Sequence, residues 1–90
     1  MLTYGGASRT WDAATKTVIF PAMDGKTPVR CIVTADALAM HFGMAKAEEL
    51  DALRAFDRAR MVIEEKAASK YARGRLTAPG EVTVGKRDFG

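Results

Sequence analysis

The sequence predicts an α+β fold: a small antiparallel sheet of three to four strands, with one short and one long helix packed on one face. Three observations carry this expectation. Residues 47–74 form a long amphipathic stretch with acids at its start and bases at its end. Two runs rich in β-branched and aromatic residues flank an Asp24-Gly25 turn signal. Glu81-Val82-Thr83-Val84 alternates polar with apolar, as a half-buried strand does. Helices with one apolar face need an apolar sheet to lie on, so the elements combine into one layered unit.

From the N-terminus, residues 2–4 read as a short strand ended by Gly5-Gly6. Trp11-Asp12 follows in a polar stretch, where Asp12 can bond its own backbone two residues on and make a turn. Thr17-Val18-Ile19-Phe20-Pro21 and Val29-Arg30-Cys31-Ile32-Val33 then read as the arms of a β-hairpin. Its connection is expected to exceed two residues, with Pro21 and Pro28 marking where pairing begins and stops. Alternation puts Val18 and Phe20 on one face, beside Val29, Cys31 and Val33. Ile19 and Ile32 point the other way.

Thr34 is suited to N-cap a short helix, with Asp36 in its first turn and Gly43 at its end. Ala37, Leu38, His41 and Phe42 recur along it at helical spacing. In the long helix, Glu48, Glu49 and Asp51 sit at the start, while Lys70 and Arg73 precede Gly74 at the end. Acids at the N-terminus and bases at the C-terminus suit the helix dipole. Leu53, Phe56, Ile63, Ala67 and Tyr71 form the apolar stripe, widened by Ala52, Ala55, Ala59 and Val62. Arg54, Asp57, Arg58, Glu64 and Glu65 are expected in water. After Ala78-Pro79-Gly80 come the last strand and a tail holding Phe89.

At 90 residues the chain reads as a single domain, 1–90. Within it, 1–33 hold the strand and β-hairpin, 34–74 the helical pair, and 75–90 the C-terminal strand and tail. One cysteine excludes an intramolecular disulfide, and the N-terminus lacks the pattern of a signal peptide. No run reaches the roughly 18 apolar residues of a membrane-spanning helix. The expected setting is cytoplasmic, with no membrane partner.

Certain residues resemble the pattern of small bacterial proteins catalogued as Domain of Unknown Function 1488. They are Trp11-Asp12, Val18-x-Phe20, Cys31-x-Val33-Thr34-x-x-Ala37-Leu38 and Phe42-Gly43. Phe56, Arg60, Ile63-Glu64, Ala67 and Tyr71-Ala72-Arg73-Gly74 extend the likeness through the long helix. The resemblance covers roughly residues 2–74 and implies a compact α+β domain in a bacterial cytoplasm. It brings no activity with it.

Chemistry-bearing constellations are sparse. One histidine and one cysteine on different elements do not make a zinc site, so no metal and no cofactor are expected. Cys31 reads as a buried structural thiol and His41 as a half-buried side chain with an ordinary hydrogen bond. A Cys31–His41 dyad is the sole nucleophilic arrangement on offer, and it needs both side chains within bonding reach. Adjacent glutamates on a helix diverge by about 100° and do not share a reacting atom. Arg60 lies near the apolar stripe, where it can snorkel or bond Glu64 one turn on.

Net charge is +3, distributed as +2 over residues 1–33, −3 over 34–65 and +4 over 66–90. The basic end makes Lys70, Arg73, Arg75, Lys86 and Arg87 candidates for an anion or nucleic-acid contact. Trp11 can cap the edge of the core or anchor a partner. With Ile19 and Ile32 it forms the candidate partner-binding set. The expected function is therefore a small non-catalytic binding or regulatory module rather than an enzyme. Its partner is expected to be a protein, with a second copy of this chain as one option. The alternative is a weak nucleic-acid binder.

Overall fold

The computed structural model describes residues 2–6 and 8–90; Met1 and Ala7 lie outside the described residues. In chain order the elements are β1 (Leu2–Thr3), β2 (Thr10–Asp12), β3 (Thr17–Asp24) and β4 (Thr27–Thr34). They are followed by α1 (Ala35–His41), α2 (Glu49–Ala72), β5 (Glu81–Val84) and a 3₁₀ turn, Lys86–Phe89. β3 and β4 form the centre of a five-stranded sheet, with β1 and β2 along the free side of β3 and β5 along the free side of β4.

The α+β class stands, with two corrections to the sheet. The first is its direction: β5 runs parallel to β4, so the sheet is mixed rather than antiparallel. Two helices intervene between β4 and β5, and a crossover of that length returns the chain in the same sense. The second is strand number, because Trp11 and its neighbours pair with β3 as a short extra strand. Asp12 still makes the expected turn, accepting the Ala14 N–H at 3.0 Å.

Pairing of β3 with β4 runs unbroken from Thr17↔Thr34 to Asp24↔Thr27, round the two-residue turn Gly25-Lys26. The longer connection expected from the prolines is not formed. Gly25, at φ 62°, supplies the left-handed residue that opens such a tight turn. In this register the pairs that exchange hydrogen bonds are Asp24/Thr27, Ala22/Val29, Phe20/Cys31 and Val18/Val33. Pro21 and Pro28 fall between them, so their missing N–H groups face away from the partner strand. Opposite Pro21, moreover, neither β1 nor β2 pairs with β3.

The core lies between one face of this sheet and the helices. Val18, Phe20, Ala22, Val29, Cys31, Val33, Val82 and Val84 are buried on the sheet side, against Ala52, Ala55, Phe56, Ile63 and Ala67 of α2. The Phe20 and Phe56 rings meet with centroids 5.0 Å apart, joining helix to sheet. Thr34 caps α1 by accepting the Ala37 N–H at 3.2 Å. At the end of α2, Arg75 N–H bonds Lys70 O and Gly74 N–H bonds Tyr71 O, both at 3.0 Å. With Gly74 at φ 71°, this pair of bonds is a Schellman cap.

Two stripe assignments change. Val62 is 53% exposed, because it sits about 100° round the helix from buried Ile63 and points to the flank. Glu64, expected in water, is half-buried under the chain between β1 and β2. Among the described residues, no helix is long and apolar enough to cross a membrane.

Candidate functional site

Strand alternation gives the sheet a second face, which neither helix covers. Ile19 and Ile32 are direct cross-strand partners on it, and both remain partly exposed. The neighbouring rows on the same face hold Pro21 beside Arg30, and Met23 beside Pro28. Arg30 in turn pairs with Glu81 of β5, and Ile32 with Thr83. An open groove of about 770 Å³ lies over these rows, and its floor includes Ile19, Pro21, Met23 and Pro28. Met23 is 37% exposed there, and Pro21 and Pro28 are exposed as well.

The groove owes its wall to α2, which acts through the sheet edge. Residues 4–6 and 8–9, between β1 and β2, are unpaired with β3, where Pro21 offers no donor. Arg60 of α2 catches that segment, donating to Gly6 O at 2.9 Å and Ser8 O at 3.3 Å. Its guanidinium is held in turn by Glu64 at 2.9 Å and lies 5.1 Å from the centre of the Phe56 ring. Arg9 adds a fork to Asp57 of α2, at 2.9 and 2.8 Å. That hydrogen-bonded pairing holds the Asp57 carboxyl below the usual carboxylate range. These ties fix Gly5, Gly6, Ser8 and Thr10 as one side of the groove.

Electrostatically the face is mild. Arg30 and Glu81 lie 3.8 Å apart, a loose pair on a mostly exposed arginine. Such a pair contributes little to stability, under about 1 kcal/mol, and leaves the guanidinium available to another carboxylate. The apolar rows are therefore bordered by two bases, Arg30 and Arg9, each beside an acid, Glu81 and Asp57.

Of the three candidate partner residues, the structure brings two together. Ile19 and Ile32 share the uncovered face. Trp11 pairs with Val18 on the opposite face and packs, half-buried, against the edge of the core. Neither the N-terminal strand nor the C-terminal tail lies over the isoleucines. β1 pairs at the edge of β3, and Phe89 packs on α1, edge-on to Phe42 at 4.9 Å.

The five basic candidates are also divided. Lys70 is half-buried and spent within the fold, donating to Thr83 O at 2.7 Å and to Asp88 at 3.0 Å. Burial raises the Asp88 pKa, yet the Gly85 N–H and Lys70 outweigh it and the net shift is downward. Arg73, Arg75, Lys86 and Arg87 are exposed.

Cys31 and His41 are each engaged elsewhere. His41 Nε2 lies 2.8 Å from Lys86 O, an arrangement in which the ring N–H donates to the carbonyl. Cys31 is fully buried beside the Tyr4 hydroxyl, and burial pushes its thiol up to about 11. Tyr4 donates to Glu64 O at 2.8 Å, and burial raises its pKa also. A thiol so placed carries almost no thiolate near neutrality, so this pocket offers no nucleophile. Among the described residues, no group of three or more His, Cys, Asp or Glu side chains is arranged to hold a metal ion.

Sequence reasoning missed Pro21, Met23, Pro28 and Arg30 as members of the face. The signal was the same period of two that singled out Ile19 and Ile32. The prolines masked it by reading as ends of pairing.

The model of a family described as "Protein of unknown function (DUF1488)" matches residues 5–84 of the chain. Among solved structures, the fold is similar to that of a protein of unknown function from the DUF1488 family of Shewanella loihica PV-4. The two are 24% identical with a TM-score of 0.75, and the alignment covers 86% of this chain and 85% of that one. No curated protein matches the chain.

Proposed function

We propose that this chain, a member of the DUF1488 family of proteins of unknown function, is a small cytoplasmic protein-binding module. Its partner docks on the outer face of the sheet. One observation carries the reading. The inner face is sealed by α2, whereas Ile19, Ile32, Pro21, Met23 and Pro28 share an open groove or its border on the outer face. A contiguous apolar patch on a small chain usually marks an interaction site, while single exposed apolar residues need no explanation. The chemistry of the site suits binding rather than catalysis. Its floor is aliphatic and prolyl, and the one thiol is buried on the far side of the sheet.

The test compares the chain with its Ile32→Lys variant, each immobilised and exposed to host extract in low and high salt. An apolar contact persists at high salt, whereas binding through Arg73, Arg75, Lys86 and Arg87 to nucleic acid is lost. The reading requires a protein retained at high salt by the native chain and absent from Ile32→Lys. Equal retention by both, or retention of nucleic acid alone, contradicts it.

A further inference from the structure

We infer that the outer face pairs with the same face of a second copy, in a weak twofold dimer that stacks β3 on β4 of the other chain; this rests on the docking reading above. The register makes the face self-complementary. A twofold axis along the strands, between β3 and β4, exchanges the two strands while keeping their rows. Ile19 then meets Ile32 of the other copy, Met23 meets Pro28, and Pro21 meets the aliphatic stem of Arg30. Ile19, Ile32, Met23 and Pro28 each find an apolar counterpart, Pro21 lies against Arg30, and each copy makes the same contacts twice.

Charge favours the same occupant. Arg30 and Glu81 stand side by side in one row, so the middle of the face brings no excess of either sign to a second copy. The exposed bases after α2, Arg73 and Arg75, and Lys86 and Arg87 of the 3₁₀ turn are not among the residues lining the groove. A strongly acidic or strongly basic partner would find no matching field there.

Size sets the strength. β3 and β4 have eight residues each, which at about 3.3 Å per residue makes a strip roughly 27 Å long. Those two strands about 4.8 Å apart, with four-residue β5 and the short β1 and β2 beside them, give a face of roughly 400 Å² per copy. Two such faces bury about 800 Å², short of the roughly 1,000 Å² of a stable specific contact, so association is weak, reversible and concentration-dependent. Aligned stacking of two sheets at about −30° is an ordinary packing for faces of this kind.

Sedimentation equilibrium of the whole chain, from about ten to several hundred micromolar, tests the inference. The mass should rise from one chain toward two. Ile32→Lys should raise the dissociation constant at least about tenfold, since an interface lysine is desolvated without a partner. Its thermal melt at a concentration where both proteins are monomeric should match the native chain, which separates lost pairing from lost folding. Met61→Lys, on the exposed side of α2, serves as the control and should leave the dimer intact. A one-chain mass throughout overturns the inference while leaving the docking reading to its own capture test. A dimer that survives Ile32→Lys, or that Met61→Lys dissociates, places the contact on another surface and also overturns it.

Discussion

A single thiol illustrates how burial decides chemistry in this protein. Cys31 lies in the middle of β4 with no exposed surface, between Phe20 on the next strand and the Tyr4 hydroxyl. Desolvation opposes the thiolate, so the native thiol titrates at about 11. In the unfolded chain it titrates near 8.5. Below about 8.5 both states hold the proton and stability is unaffected. Above it the unfolded state loses the proton first, so stability falls as pH rises toward 11. Urea midpoints should therefore decline between about pH 8.5 and 10, before tyrosines titrate in the unfolded chain. Cys31→Ala should flatten that decline. A thiol reagent at neutral pH should label the native protein slowly and the denatured protein fast. Rapid native labelling would place the thiol at the surface and return it to consideration as a nucleophile.

At the scale of elements, α2 does two jobs with two faces of one helix. Ala52, Phe56, Ile63 and Ala67 are completely buried against the sheet, and Phe56 meets Phe20 at the centre. Phe56→Ala removes a fully buried ring and leaves a cavity, at a cost of about 3–5 kcal/mol. For a chain of this length that should remove most of the stability, visible as a melting point lowered by well over ten degrees. A melt within a few degrees of the native one would mean that the helix lies in another orientation. On its flank, Asp57, Arg60 and Glu64 reach round to the segment between β1 and β2 and hold the wall of the groove. The stripe and the Gly74 cap were legible in the sequence, because helical periodicity and a C-terminal glycine are local signals. The long-range role of Arg60 was not. Its bond to Glu64 is one turn away, but its bonds to Gly6 and Ser8 span more than fifty residues, and no local pattern encodes them.

The same division between local and distant runs through the sheet. β3 and β4 are legible as β-branched runs around Asp24-Gly25, whereas the place of their prolines inside the pairing is not. What matters for proline in a strand is which way its absent N–H points, and that depends on the register of the pair. The parallel return of β5 was likewise hidden. Glu81–Val84 announces a strand by alternation, but its direction is set by the crossover through α1 and α2. Lys70 then locks that return from the helix, bonding Thr83 O and Asp88, which removes it from the basic set that charge-counting had assembled.

For the whole molecule, the layered arrangement leaves two unequal sheet faces. One is covered by α2 and holds the buried core, while the other displays a cross-strand isoleucine pair and an open apolar groove. Apolar exposure alone does not single out a working surface, since Met61 on α2 is 82% exposed and stands apart from the groove. What distinguishes the outer sheet face is that its apolar residues are contiguous, rigidly held by strand pairing and walled by a segment pinned to α2.

That claim is tested most directly by photo-crosslinking in living host cells. A benzophenone side chain replaces Met23 at the groove in one variant and Met61 on the helix in another. Both positions tolerate the bulk because both side chains reach solvent. Covalent adducts with another polypeptide, this chain or a different one, should form from position 23 and be absent or minor from position 61. Adducts from position 61 alone, or from neither, would contradict the assignment of the outer sheet face as the surface through which this protein works.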